Sequence, residues 1–470
     1  MKRIILTAVL VMGAVLFNCG LSRADEPVNN ETLLKEIREL KNIVTQQAKK
    51  INDLESRVAQ QETKAAIVGA PVNISEIDKK IDERLSQKAP AYQLMEGLSL
   101  SVGMTSVLQG AHNVNGNDQL SNKEDSTAGT ISADITLNKK FGDYGEGFVY
   151  ITAGQGAGLD GKIKTFGNVN YDADSDQTVR LSEAWYEVYF QQISGALAFG
   201  KLDPTKYVDT NSYANDETTQ FLGGIFRNSP AVEFTDNSLG VHFGVSPLEF
   251  FDLNLVAVDT KTEGDSAGED IFDAMFVGGQ VNFKPKFFGK DGNYRFYAWE
   301  NGANHTKWAD AAKDKENSHG YGISFDQELT DVIGVFARYG WQDPKVFTPQ
   351  YDSAGALDWS GSVYSIEQSW SVGPQFKGTA WGRPDDVTAI AFGQIIPSND
   401  YKKYYGTISG TGVELQAKTE NRLEWYYNYK VNEHLSLSPD LQVIWQPYGK
   451  DSANGDGTIV IGGLRGQMDF

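Results

Sequence analysis

The chain has 470 residues, with 42 Lys or Arg against 62 Asp or Glu and a formal net charge of −20. That balance excludes a nucleic-acid binder, which needs basic surface to neutralise phosphates, and opposes a pore that captures anions, which needs concentrated Lys and Arg. A single cysteine rules out a disulfide framework.

At the N-terminus, Lys2 and Arg3 precede the apolar run of residues 4–17, and Ser22-Arg23-Ala24 offers small residues before Asp25. This is the layout of a secretory signal over residues 1–24, and the apolar run is shorter than the ~20 residues a spanning helix requires. Cys19 lies inside that leader, with Asn18 where a lipoprotein signal would carry a small residue, so the mature chain has no thiol for a metal or a nucleophile. Removing Lys2, Arg3 and Arg23 with the leader leaves 39 basic residues against 62 acidic ones, a net charge of −23.

Residues 25–70 read as a coiled coil. Ile37, Val44, Ile51 and Val58 recur every seven residues, and Leu33, Leu40, Gln47, Leu54 and Gln61 fill the d positions between them. Such a helix covers its apolar stripe by joining other copies, which predicts a homo-oligomer; Gln47 and Gln61 at d leave dimer and trimer open from the heptads alone, a trimer being favoured for barrel and coiled coil together, and the alternative is an amphipathic helix packed on the end of the following domain. Gly69-Ala70-Pro71 ends it. Residues 71–91 then form a short helix, with Ile74, Ile77, Ile81 and Leu85 on one side, and a linker closed by Pro90.

From residue 92 onward, aromatic-rich alternating runs are separated by Gly/Asn/Asp-rich loops. Strands are predicted over residues 98–108, 130–141, 147–155, 179–191, 196–202, 241–246, 252–258, 277–283, 294–300, 321–329, 332–341, 362–372, 375–381 and 387–396. Three more occupy the C-terminal end, for sixteen to eighteen in all. In one of these, Leu423, Trp425, Tyr427, Tyr429 and Val431 share one face, and Arg422, Glu424, Tyr426 and Asn428 share the other. Tyr321, Ile323 and Phe325 alternate with Ser324 and Asp326; Val460, Leu464, Met468 and Phe470 oppose Arg465, Gln467 and Asp469. A β-sandwich would hide the apolar face inside, whereas an outer-membrane barrel turns it to lipid around a polar lumen. The secretory signal, the absence of any apolar run of helix-spanning length after it, and the closing Phe470, which resembles the C-terminal aromatic signature of bacterial outer-membrane barrels, select the barrel. The fold class is therefore an all-β transmembrane antiparallel barrel of about sixteen strands over residues 92–470, preceded by the helical segment. It belongs in the outer membrane, with the N-terminal segment in the periplasm, where the helix could contact the cell wall.

Trp381-Gly382-Arg383-Pro384-Asp385-Asp386, then Glu424-Trp425-Tyr426-Tyr427, then Leu437-Ser438-Pro439-Asp440-Leu441-Gln442 and an Arg-containing last strand resemble the carbohydrate-selective porin (OprB-type) family. Residues 181–190, Gly200-Lys201-Leu202-Asp203 and Phe226-Arg227-Asn228-Ser229 are similar to the N-terminal half of that family. The resemblance implies a sixteen-stranded porin that passes sugars and other small solutes by diffusion. Members with an N-terminal periplasmic extension, which this chain is more like, need not prefer sugars.

Sugars carry ring-plane hydroxyls and apolar C–H faces, so a selective constriction offers aromatic faces beside carboxylates and guanidiniums. Glu183, Trp185 and Glu187 have that composition on one predicted lumen face; Arg383, Asp385 and Asp386, with Arg422, Glu424 and Tyr426, offer another, and Arg465 lies on the last strand. Each group also fits a structural ion pair or turn cap, and Arg383-Pro384-Asp385-Asp386 fits a turn. Trp425, Tyr427, Trp445 and Tyr448 fit interfacial belts.

Gly156-Ala157-Gly158-Leu159-Asp160-Gly161 has the spacing of a dinucleotide loop but leads into Asn/Asp-rich sequence, and Ile163 stands where a phosphate loop needs a hydroxyl. Asp172, Asp174 and Asp176 mimic a calcium loop, with Gln177 in place of its glycine. The five histidines show no ligand spacing. No metal, cofactor or catalytic residue is assigned. The reading is a porin for small hydrophilic solutes, carbohydrates first, with outer-membrane lipid and other copies of the chain as partners; the alternatives are a nonspecific or cation-preferring porin, an outer-membrane hydrolase, and a tether to the cell wall.

Overall fold

The computed structural model describes residues 97–115, 125–174, 177–261, 273–359, 363–412, 415–451 and 457–470. The secretory signal, the heptad segment and the short helix of residues 71–91 lie outside the described residues.

Sixteen strands run in chain order: β1 Leu98–His112, β2 Ser126–Lys140, β3 Gly145–Gln155, β4 Val179–Phe190, β5 Gly195–Leu202, β6 Ser238–Leu248, β7 Phe251–Asp259, β8 Met275–Phe283, β9 Lys290–Lys307, β10 Glu316–Glu328, β11 Ile333–Gln342, β12 Ile366–Lys377, β13 Val387–Pro397, β14 Glu420–Asn432, β15 Leu435–Trp445 and β16 Ile459–Asp469. Two-residue ladders at Lys286–Phe287 and Val346–Phe347 add to them. Each strand pairs antiparallel with the next, and β16 pairs back onto β1, with Gly103 opposite Asp469 and His112 opposite Val460. Among the described residues the strands close into a ring with no unpaired edge strand, as a hydrocarbon environment demands.

Connections alternate between tight and long. Turns such as residues 141–144, 191–194 and 433–434 lie at one end, with Gly97 and Phe470; the connections 156–178, 203–237, 343–365 and 398–419 lie at the other. This is the asymmetry of outer-membrane barrels, short on the periplasmic side and long on the outer side.

Burial is inverted relative to a soluble domain. Outward-facing Leu108, Phe199, Val277, Tyr321 and Leu464 are exposed, Leu108 at 63%. Inward-facing Thr105, Ser324, Arg338, Arg422, Glu424 and Arg465 are all at 3% or less. The period of two thus places grease outside and polar groups inside, and two long connections folding into the lumen bury the latter.

Three details depart from the linear pattern. The runs 362–372 and 375–381 merge into the single strand β12, which passes through Gly373-Pro374 without a register change: Val372 faces Phe392 and Gln375 faces Ala389. The missing side chain at Gly373 lets the strand lie against the backbone of Ile390, while residues 378–381 curl into a 3-10 turn. In β4 a bulge skips Ser182, with Ile151 opposite Leu181 and Tyr150 opposite Glu183, so Leu181 faces out and Glu183, two residues on, faces in. Tyr448 leaves the expected belt. Left-handed backbone at Gln446, Tyr448 and Lys450 turns the chain inward, and the ring packs on Phe166 and Tyr364.

Candidate solute pathway

The pathway is shaped by two inserted segments, residues 156–178 and 203–237. They hydrogen-bond each other, Tyr171 N to Leu222 O and Gly224 N to Asn168 O, both at 2.9 Å. The second segment carries Phe221, Ile225 and Phe226 into an apolar cluster with Phe336, Ala389, Ala391 and Tyr426 of the wall. Two inward wall glycines make that approach possible: a Cβ on Gly334 would run into the Tyr213 ring, and one on Gly340 into Ser229 Oγ.

Charged wall residues then hold the backbone of these segments. Arg338 donates to Asp209 Oδ1 at 2.9 Å and to the carbonyls of Phe226 and Ala214 at 2.9 Å. Glu424 accepts from Leu222 N at 2.6 Å and Gly223 N at 2.9 Å. Arg465 Nη1 donates to Glu217 O at 2.7 Å and Gln220 O at 2.8 Å. Arg422 bonds Glu420 at 2.8 Å and the carbonyl of Gly167, and Tyr426 meets Phe221 edge-on at 4.9 Å. The structure therefore brings Arg422, Glu424, Tyr426 and Arg465 together on the lumen face, all buried as anchors of the inserted segments.

A second group lies across β2 to β4. Glu183 accepts from Trp185 Nε1 at 3.1 Å and pairs with Lys206, while Trp185 stacks on Phe148 at 5.0 Å. Glu187 is half-buried nearer the short turns, opposite Glu146. Neighbouring carboxylates continue this acidic wall: Asp134 accepts from Tyr150 OH at 2.9 Å, and Glu217 of the inserted segment pairs with Arg227 at 3.0 Å. Asp172, from the calcium-like spacing, accepts from Ser132 Oγ at 2.8 Å; burial pushes its carboxyl up to about 7 against that bond. Asp160 accepts from the amides of Val169 and Asn170 at 2.8 and 3.1 Å, which makes the glycine-rich stretch a loop clamp.

Arg383, Asp385 and Asp386 sit apart from the first group, at the short-turn end. Asp386 binds Arg383 through both oxygens, with Arg383 Nη2 at 3.0 Å from Oδ1, and also accepts from Tyr427 OH at 2.6 Å and Lys430 N at 2.9 Å. The Arg383 bond, helped by Tyr427 and the Lys430 amide, holds the Asp386 carboxyl down at about 2. Asp385 is exposed. All three line a hollow of about 720 Å³ with Thr219, Lys430 and Glu433.

Sequence reasoning missed the other hollow. On the long-loop side, a cavity of about 410 Å³ is lined by Tyr171, Phe234 and Tyr364 together with Glu233, Gln342 and Gln350. Its residues come from three connections and two strand ends, and no local spacing links them.

The family model described as the carbohydrate-selective porin, OprB family, matches residues 122–470. Among solved structures, the fold is similar to Pseudomonas putida OprB at high pH, with 18% identity over 81% of this chain and 96% of that one and a TM-score of 0.66. The low-pH structure of the same porin aligns at 15% identity over 81% and 95% of the two chains with a TM-score of 0.48. The Acinetobacter baumannii outer membrane channel DcaP aligns at 13% identity over 80% and 98%, also at 0.48. Among curated proteins none matches significantly.

Proposed function

Because the chain belongs to the carbohydrate-selective porin (OprB) family, we propose that it is an outer-membrane porin through which small hydrophilic solutes, carbohydrates foremost, diffuse passively. The observation that carries this reading is a closed sixteen-strand wall, apolar outside, whose polar interior is narrowed by two inserted segments with hollows on either side. The protein conducts solutes rather than transforming them. Glu183, Trp185, Glu187, Arg422, Glu424, Tyr426 and Arg465 set the shape and charge of the constriction, and Arg383, Asp385 and Asp386 those of the periplasmic mouth.

The acidic wall of Asp134, Asp172 and Glu183, with a mature net charge of −23, favours one second reading, a cation-preferring porin. Liposome swelling with neutral sugars tests the first; bilayer reversal potentials in a salt gradient test the second. Ion conduction without sugar-driven swelling would overturn the carbohydrate reading and leave the cation-preferring one.

The heptad pattern supports a homo-oligomer, which we read as formed through barrel and coiled coil together with a trimer favoured, the N-terminal segment lying in the periplasm, where it could contact the cell wall. Chemical cross-linking of the full chain in native membranes checks the oligomer: a monomer band alone rules it out.

A further inference from the structure

The cavity on the long-loop side differs in chemistry from the hollow at the short turns. Among the described residues, the short-turn hollow has no aromatic lining and carries Arg383, Lys430, Asp385, Asp386, Glu433 and Asp469. Among the described residues, the long-loop cavity has no Lys or Arg in its lining, and its one carboxylate is Glu233. At about 410 Å³, it lies within the ~300–1,000 Å³ range of small-molecule sites.

Glu233 is held by His305 and Asn301 of the barrel wall and by Thr348 of the cavity lining. Its Oε1 is 2.9 Å from His305 Nε2 and also bonds Thr348 Oγ1, and its backbone carbonyl accepts from Asn301 Nδ2 at 3.1 Å. His305 is fully buried, and its other ring nitrogen lies 2.7 Å from the Ala303 carbonyl. Both ring nitrogens thus face oxygen acceptors, an arrangement satisfied when the ring carries both protons and compensates the carboxylate. The Glu233 side chain remains 24% exposed toward the cavity. It offers acceptor lone pairs with its charge already matched.

An independent observation points to a ligand at this place. Gln342 lines the same cavity, and its Oε1 is buried with no hydrogen-bond partner among the described residues; a buried acceptor left unpaired costs about 1–3 kcal/mol. A hydroxyl donor in the cavity satisfies it. Tyr171 and Tyr364 keep part of their rings accessible there, with Phe234 beside them, and these faces suit the C–H side of a pyranose ring.

We propose that this cavity is an uncharged-saccharide subsite on the outer side of the constriction, with the Glu233 carboxylate and the Gln342 carbonyl as hydroxyl acceptors and Tyr171, Phe234 and Tyr364 as the stacking surface. It rests on the porin reading and deepens it. Sugars carrying a carboxylate or phosphate are excluded, because no Lys or Arg is among the described residues that line the cavity, and the hydration lost by an anion would go uncompensated. Glu233 and Gln342 are the specificity-determining residues of the subsite.

The test uses the full-length protein in planar bilayers, with maltose as the neutral probe and glucuronate as the anionic one; binding is read from sugar-induced current noise. Maltose is expected to produce saturable noise with faster association from one side of the bilayer, and glucuronate none. Glu233→Gln and, separately, Gln342→Leu are each expected to weaken maltose association by about tenfold, the loss of one good hydrogen bond. Phe288→Ser, at an exposed short turn remote from the cavity, should leave it unchanged. Heat-modifiable electrophoretic mobility reads barrel assembly in each variant independently. Maltose noise that persists unchanged in both substitutions, or glucuronate that binds as well as maltose, overturns the subsite. The porin reading fails on a different result, a wild-type protein that conducts neither salt nor sugar.

Discussion

Asp386 and Asp172 carry the same functional group in opposite electrostatic company. Arg383 holds Asp386 at about 2, below its ordinary 3.8, so its contribution to the folded turn is complete above about pH 4 and disappears as pH falls through 2. Hydrogen exchange at the Lys430 amide, corrected for its intrinsic rate, should be slow at pH 5 and fast at pH 2; slow exchange at both values would refute the assignment. Burial lifts Asp172 to about 7, and the sign reverses: the neutral form is favoured in the folded loop, so stability is greatest below about pH 4 and is lost as pH rises through 7. Above that pH the passage gains a negative charge. Reversal potentials in a KCl gradient should therefore show stronger cation preference at pH 8 than at pH 5, and Asp172→Asn should flatten the difference. Legibility at this scale was uneven. The Arg383-Pro384-Asp385-Asp386 turn could be read because its partners are three residues apart, whereas Glu233 and His305 meet across seventy-two positions.

The inserted segment 203–237 is the element on which the constriction depends, and its polar ties to the wall are directional hydrogen bonds. Glu424→Ala leaves the amides of Leu222 and Gly223 without their acceptor, a cost of about 1–3 kcal/mol for each. The segment should then open locally, giving a larger and noisier single-channel conductance and a new protease cut between residues 216 and 224; a conductance equal to wild type with no new cut counts against the anchor. The strands were legible because lipid on one side and polar segments on the other impose a period of two on each. Where that alternation slips, at the bulge skipping Ser182, a local insertion re-aims Glu183 and Trp185 inward. The insertion of 203–237 was not legible, since its polar residues look like any surface loop until Arg338, Glu424 and Arg465, more than a hundred residues later, are brought beside them.

For the whole molecule, the governing quantity is the direction in which each strand face looks. Val372, outward on β12 and 45% exposed, should tolerate Leu or Phe but not charge: Val372→Arg is expected to cost about 2–4 kcal/mol near the bilayer midplane, seen as a lower heat-modification temperature in detergent and weaker folding into vesicles. Ser371→Arg, one residue away and facing the lumen, should instead change ion selectivity. Equal effects of the two on barrel stability would sink the outward assignment.

The sequence by itself determined the strand faces, their number to within two and the family to which the barrel belongs, because each is written in neighbouring residues or short ordered motifs. Only the tertiary structure decided what occupies the lumen. Polar wall residues have no intrinsic preference between water, a sugar and a folded-in loop; the choice falls to whichever backbone groups closure of the barrel delivers to them. Here Arg338, Arg422, Glu424 and Arg465 receive loop amides and carbonyls, and Gln342 is left with an acceptor still unmet.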